Sequence, residues 1–180
     1  MCTLPMFRFH GISKEVVAGR KRELDRPALG TLDAKAFGTA VHGQLARIMQ
    51  AGDVDRVLER PWPWSRCSKA DWERVRNQVR AVVEHPVMSA WFDGSGTVHN
   101  ERELVGLDGK LVRPDRVVFR PDGVDVIDFK TVAKLTDKKR KEHVEQVRGY
   151  MTALSRSETR PVRGFLFYCD SGECTEVKPL

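Results

Sequence analysis

At 180 residues with 41% hydrophobic content, the chain is long enough to bury one proper core without disulfide or metal staples, which makes a single compact domain the default. A formal net charge of +6 and an isoelectric point near 9.3 favour an anionic partner, and nucleic acid fits best. No uninterrupted apolar stretch near Met1 reads as a signal peptide and none approaches the roughly 20 residues of a membrane span, so a cytoplasmic protein without membrane contact is expected.

Residues 1–31 mix charge, glycine and proline without periodicity and read as an irregular lead-in, with residues 32–180 forming the domain. Over 34–50, Phe37, Val41, Leu45 and Ile48 recur at helical intervals and predict one buried stripe, with His42 on its border. Position alone leaves His42 open between a half-packed ring and a ligand. Pro61-Trp62-Pro63-Trp64 reads as a rigid loop whose tryptophans anchor packing, and Ser68 with Asp71 gives a capping start to a helix with the stripe Trp72, Val75, Val79 and Val82. A short element from His85 ends near Trp91 and Phe92, and Asp93-Gly94-Ser95-Gly96 breaks it. Residues 98–105 read as the first strand, with Glu101 and Glu103 on one face and Val98, Arg102 and Leu104 on the other.

Next comes the most informative segment. Residues 111–119 and 124–131 are two β-rich runs joined by Arg120-Pro121-Asp122-Gly123, so they predict a hairpin. Strand alternation puts Asp128 and Lys130 on one face, continuing the line of Val124 and Val126, while Ile127 and Phe129 point into apolar packing. Charge on a stripe that has been apolar is costly without partners, which marks the position as a candidate site. A turn of two or four residues sets Asp115 opposite Asp128, with Cα atoms about 4.5 to 5.5 Å apart. Two carboxylates so close repel unless they share a cation, and Mg²⁺ accepts such oxygen ligands. A three-residue loop with a glycine bulge, which Pro-Asp-Gly also suits, would send Asp115 to the other face.

A helix over 138–155 follows, with Val144, Val147, Met151 and Leu154 inside and Gln146 and Tyr150 sharing a face. The run Lys138-Lys139-Arg140-Lys141 concentrates positive charge at its start. Residues 162–169 and 175–177 complete the sheet around a tip at Asp170-Ser171-Gly172-Glu173. The four cysteines, Cys2, Cys67, Cys169 and Cys174, are too scattered for a secreted disulfide framework, and reduced thiols are expected.

Taken in order, Gly38-x-x-x-His42, Asn100-Glu101-Arg102-Glu103, Asp115, Asp128-Phe129-Lys130 and Gln146-x-x-x-Tyr150 resemble the RecB-type nuclease domain. This is a branch of the PD-(D/E)XK superfamily found at the C-terminus of bacterial helicase-nucleases and in CRISPR-associated adaptation nucleases. The resemblance spans residues 32–177. It departs at Arg113-Pro114-Asp115, where the branch often reads Gly-x-x-Asp, and at Phe129, where Tyr is usual; neither change removes a ligand. The resemblance implies an α/β restriction-endonuclease-like core, with a mixed central sheet flanked by helices. It also implies Mg²⁺- or Mn²⁺-dependent hydrolysis of DNA, exonucleolytic on single-stranded or end-bearing substrates, in repair, recombination or mobile-element processing. Asp115, Asp128 and Lys130 would be catalytic. His42, Asp115, Asp128, Glu101 and the Phe129 carbonyl would face the metal, and Gln146 and Tyr150 would lie beside the nucleic acid. A helicase or other recombination protein is the candidate partner, because the chain has no phosphate-binding Gly-x-x-x-x-Gly-Lys-Ser/Thr of its own. Some relatives hold an iron–sulfur cluster with one early and three late cysteines; here the tail offers Cys169 and Cys174 alone, so no cluster is expected. The alternative reading is a catalytically inactive nucleic-acid-binding or scaffold module on the same fold.

Overall fold

A computed structural model describes residues 31–59, 67–106, 108–132 and 134–179. The expected lead-in before residue 31, Cys2 within it, and the tryptophan loop at 61–64 lie outside them. The first helix, α1 (Ala34–Leu45), starts at Asp33, whose side chain accepts the Ala36 N–H at 2.7 Å. It buries Phe37, Val41 and Leu45 as the spacing predicts, but stops five residues short of Gln50. Carbonyls past its end are taken by side chains from the sheet: Asn100 Nδ2 donates to Ala46 O and Ile48 O, and Arg116 donates to Ile48 O and Met49 O. A 3₁₀ turn (Ala51–Asp53) and a short helix, α2 (Val54–Glu59), follow. Helix α3 (Lys69–Val83) is capped by Ser68, whose Oγ accepts the Asp71 N–H and donates to Asp71 Oδ2. Asp71 is itself buried and also accepts Leu32 N–H at 3.0 Å, which ties the entry of α1 to α3.

After a second 3₁₀ turn (Met88–Trp91) come β1 (Thr97–Asn100), β2 (Leu104–Val105), β3 (Leu111–Val112), β4 (Arg116–Arg120), β5 (Gly123–Lys130), helix α4 (Asp137–Ser155), β6 (Val162–Tyr168) and β7 (Glu173–Val177). The main sheet has the order β1-β4-β5-β6-β7. Strands β5 and β6 are parallel, with α4 as their crossover, and the other neighbours are antiparallel. This is the mixed α/β sheet flanked by helices that the sequence implied.

Two expected strands are each broken in two. The run over 98–105 is interrupted at Glu101, which takes a left-handed φ of +53°. The run over 111–119 is interrupted at Arg113-Pro114-Asp115, where Pro114 has no N–H for a ladder. The detached ends, β2 and β3, pair with each other as a separate two-stranded ribbon.

The strongly buried β5 divides the core. Ile127 and Phe129 join Val41, Leu45, Val75, Val79 and Phe167 on the side of α1 and α3. Val124 and Val126 pack with Tyr150 and Leu154 of α4 on the other. Helix α4 approaches β6 most closely at Gly164, where an added Cβ would stand 2.6 Å from Val147 Cγ1 and collide with Met151 Sδ.

Candidate active site

The β4–β5 hairpin sets the geometry. Arg120 pairs with Gly123 across the two-residue turn Pro121-Asp122, and the ladder runs back to Arg116 opposite Ile127. This is the even-loop register, and its continuation by one step brings Asp115 to Asp128. Asp115 sits just before β4, and its Oδ2 accepts the Phe129 N–H at 2.7 Å. Its Oδ1 lies 3.3 Å from His42 Nδ1 on α1. Asp115 is thus oriented by the backbone of the strand that carries the second acid.

Asp128 is 2% exposed, and its Oδ2 accepts no hydrogen bond. Lys130 Nζ stands 2.7 Å from that oxygen as an ion pair, at an angle unsuited to a hydrogen bond. Burial first, and then the charge on Asp115, push the Asp128 carboxyl up to about 6, against the opposing pull of Lys130 and His42. For His42, burial alone would lower the pKa, but the hydrogen bond to Asp115 and the charges on Asp115 and Asp128 outweigh it and raise the imidazole above its ordinary value. The His42 shift reports the charge of the two carboxylates, and the Asp128 shift reports burial first and the neighbouring Asp115 second.

Lys130 in turn donates to Gln146 Oε1 at 2.8 Å, and Gln146 Nε2 donates to Tyr150 OH at 2.6 Å. The amide therefore has a fixed orientation between amine and phenol. Tyr150 is buried, and burial together with the charges on Asp128 and Asp115 holds its hydroxyl protonated well above the usual phenol range. His42, Asp115, Asp128, Lys130, Gln146 and Tyr150 thus form one connected cluster, joined at Phe129 by its backbone N–H.

Glu101 stands apart from it. Its N–H donates to Asp115 O at 3.0 Å, but its carboxylate is 2.9 Å from Arg113 Nε. His42 and Asp115 of the cluster line an open groove of about 700 Å³ whose walls also include Lys35, Thr39, Glu101 and Arg113.

Sequence reasoning passed over Arg113 and Arg116. Arg116 is fully buried, and among the described residues no carboxylate pairs with it. Its guanidinium donates to the carbonyls of Ile48, Met49 and Trp91 and to Asn100 Oδ1, and lies 3.9 Å from the Phe92 ring centroid. Burial pulls its pKa down to about 10. It locks the residue after Asp115 to the loop that follows α1. A basic residue beginning a β run, directly after a candidate ligand, was the one available signal.

Among the described residues, no three carboxylate, imidazole or thiol groups already converge into a complete metal cage. The donor set nonetheless suits a hard divalent cation: a buried carboxylate oxygen without a hydrogen-bond donor, a second carboxylate beside it and an imidazole at hand.

The model of the PD-(D/E)XK nuclease superfamily matches residues 17–179. The chain belongs to this superfamily. PD-(D/E)XK proteins are nucleases that generally use divalent metal ions, which accords with the donor set described above. Among solved structures, a protein from Eubacterium rectale provisionally described as an exonuclease is 14% identical with a TM-score of 0.53, over 82% of this chain and 61% of that one. At this identity the likeness speaks to the fold, and the chain spans about three fifths of that protein's length. SSO0001 is also 14% identical, over 94% of this chain and 79% of that one, but its TM-score of 0.34 carries no weight. No curated protein matches the sequence. Among the described residues, no helix is long and apolar enough to cross a membrane.

Proposed function

We propose that this PD-(D/E)XK chain is a Mg²⁺- or Mn²⁺-dependent deoxyribonuclease of the RecB type, acting exonucleolytically on single-stranded or end-bearing DNA. The observation that carries the reading is the buried Asp128 carboxylate, paired at 2.7 Å with the Lys130 amine and crowded by the charge on Asp115, with its pKa pushed up to about 6.

A divalent cation held by Asp115 and Asp128, with His42 and the Phe129 carbonyl assisting, would neutralise phosphate charge and make a water acidic enough to attack at neutral pH. Lys130 orients that water and donates to charge developing on the phosphate. Gln146 holds the amine in place through its Oε1, and Tyr150 fixes the amide from behind. Lys35 and Arg113 on the groove walls are placed to meet backbone phosphates. The net charge of +6 and the exposed Lys138, Lys139 and Lys141 at the start of α4 support a polyanionic substrate. DNA as the substrate and exonucleolytic action rest on the RecB-type resemblance, which also supports a setting in repair, recombination or mobile-element processing.

The test compares linear with covalently closed circular single-stranded DNA in Mg²⁺, Mn²⁺ or EDTA. Metal-dependent loss of the linear form alone is expected. Cutting of circles would overturn end-dependence, and binding that survives EDTA with no cleavage in either metal would return the chain to a scaffold role.

A further inference from the structure

The ribbon β2–β3 carries a feature that hydrolysis at Asp115 and Asp128 does not use. On its inner face, Leu104 and Val112 are cross-strand partners packed against Val117, Val124 and Tyr150. On its outer face, Val105 and Leu111 are partners as well, and they are 56% and 66% exposed. Strand alternation on a half-solvated ribbon calls for polar residues there. Single exposed aliphatics are ordinary, but two held side by side on one ribbon form a patch.

Short chain segments join the patch to the site. From Leu111 the chain passes through Arg113 to Asp115, and from Val105 it runs back to Glu101. Four residues reach at most about 14 Å, which is close to four stacked bases at about 3.4 Å per step. Cations flank the patch: Lys110 is beside Leu111, and Arg113 is the next outward residue. Their partners, Asp108 and Glu101, form exposed pairs of the kind that exchange readily for phosphate. A second protein is a poor occupant, since a stable protein interface needs about 1,000 Å² or more and two aliphatic side chains offer a small part of it. Flat nucleobases with an anionic backbone on either side match both the size and the charge.

Resting on the nuclease reading above, we propose that the β2–β3 ribbon is a wedge for the end of a base-paired polynucleotide. Val105 and Leu111 pack on the terminal base pair and part it, Lys110 and Arg113 track the backbone, and one strand passes into the groove toward Asp115 and Asp128.

The experiment uses the full chain and the double variant Val105→Ser/Leu111→Ser, in which both changed side chains are exposed; equal melting temperatures establish that the fold is kept. A short blunt duplex with 2-aminopurine in its terminal pair, bound in EDTA or Ca²⁺, reports unstacking without cleavage. The wild type should raise the fluorescence, and the double variant should not. In Mg²⁺ or Mn²⁺ the variant should lose about tenfold or more on the blunt duplex, the scale of one lost aliphatic contact, while cutting the isolated strand at nearly the wild-type rate. No fluorescence rise with the wild type, or equal losses on both substrates, would overturn the wedge. A change from dimer to monomer in the variant would do the same by giving the patch to a second copy. A fluorescence rise without any cleavage would keep the wedge and sink the hydrolase reading, so the two fail separately.

Discussion

Asp125 and Asp128 lie three residues apart on one strand, both buried, and the protein treats them in opposite ways. Asp125 faces the side of Trp91, and every acceptor it has is used: Oδ1 takes Arg163 Nε at 2.6 Å, and Oδ2 takes Trp91 Nε1 and Arg120 NH1, both at 2.8 Å. Asp128 faces α4 with a single cation, Lys130, at 2.7 Å, another carboxylate nearby and its pKa raised to about 6. Burial is the same in both cases, so burial alone does not mark a site. What separates the two is that Asp125 holds two arginines and a tryptophan, whereas Asp128 has one lysine and a second carboxylate close by, and that difference makes one acid a rivet and the other a receptor.

The comparison can be broken at either end. Asp128→Ala should lower cleavage by at least about 10³-fold while leaving the fold intact, and Lys130→Ala should behave alike; a loss below tenfold in single-turnover assays would erase the distinction. Asp125→Ala should do the reverse. Removing it strands Arg120 and Arg163 and should cost about 3–5 kcal/mol in denaturant titrations, with little change in rate per folded molecule.

A third expectation concerns pH. Because the Asp128 carboxyl is raised from 3.8 to about 6 in the fold, the native state keeps a proton that the unfolded chain releases. The Asp128 contribution to stability is therefore fully present below about pH 4 and is lost as pH rises through about 6, by roughly 1–3 kcal/mol. Asp128→Asn should flatten that slope and raise the metal-free melting temperature near neutral pH. Added Mg²⁺ or Mn²⁺ should stabilise the wild type there and not the variant.

The smallest effect sharpens the role of Gln146. If it positions Lys130, Gln146→Ala should reduce kcat by about tenfold with KM nearly unchanged. A rise in KM at constant kcat would instead make it a contact to the nucleic acid.

Much of the fold was legible because periodicity encodes it. The α1 stripe and the capped start of α3 follow from local residues, whereas Pro-Asp-Gly allowed two hairpin registers, and the register decides where Asp115 points. The breaks were not legible from alternation alone. Val98 to Val105 alternates well enough to pass for one strand, and the left-handed turn at Glu101 is imposed by the ribbon that folds away beside it. Pro114 carried a signal that the reading of 111–119 as one run left unused, since a proline cannot sit in a central ladder. Arg116 was hidden for a different reason: its partners are backbone carbonyls at Ile48, Met49 and Trp91, which leave no trace in side-chain chemistry. Within the site, the pairing of Asp128 with Lys130 could be read from strand parity, but the link from Lys130 through Gln146 to Tyr150 needed the helix to be in place.

That placement rests on a single hydrogen atom. Gly164 lets α4 settle so near β6 that Val147, the neighbour of Gln146, touches the strand backbone. An alanine there would lift the helix by a fraction of an ångström and slide the amide away from the amine. Gly164 is therefore a remote throttle, a place where natural variation or an engineer can retune turnover without altering any group that meets the substrate.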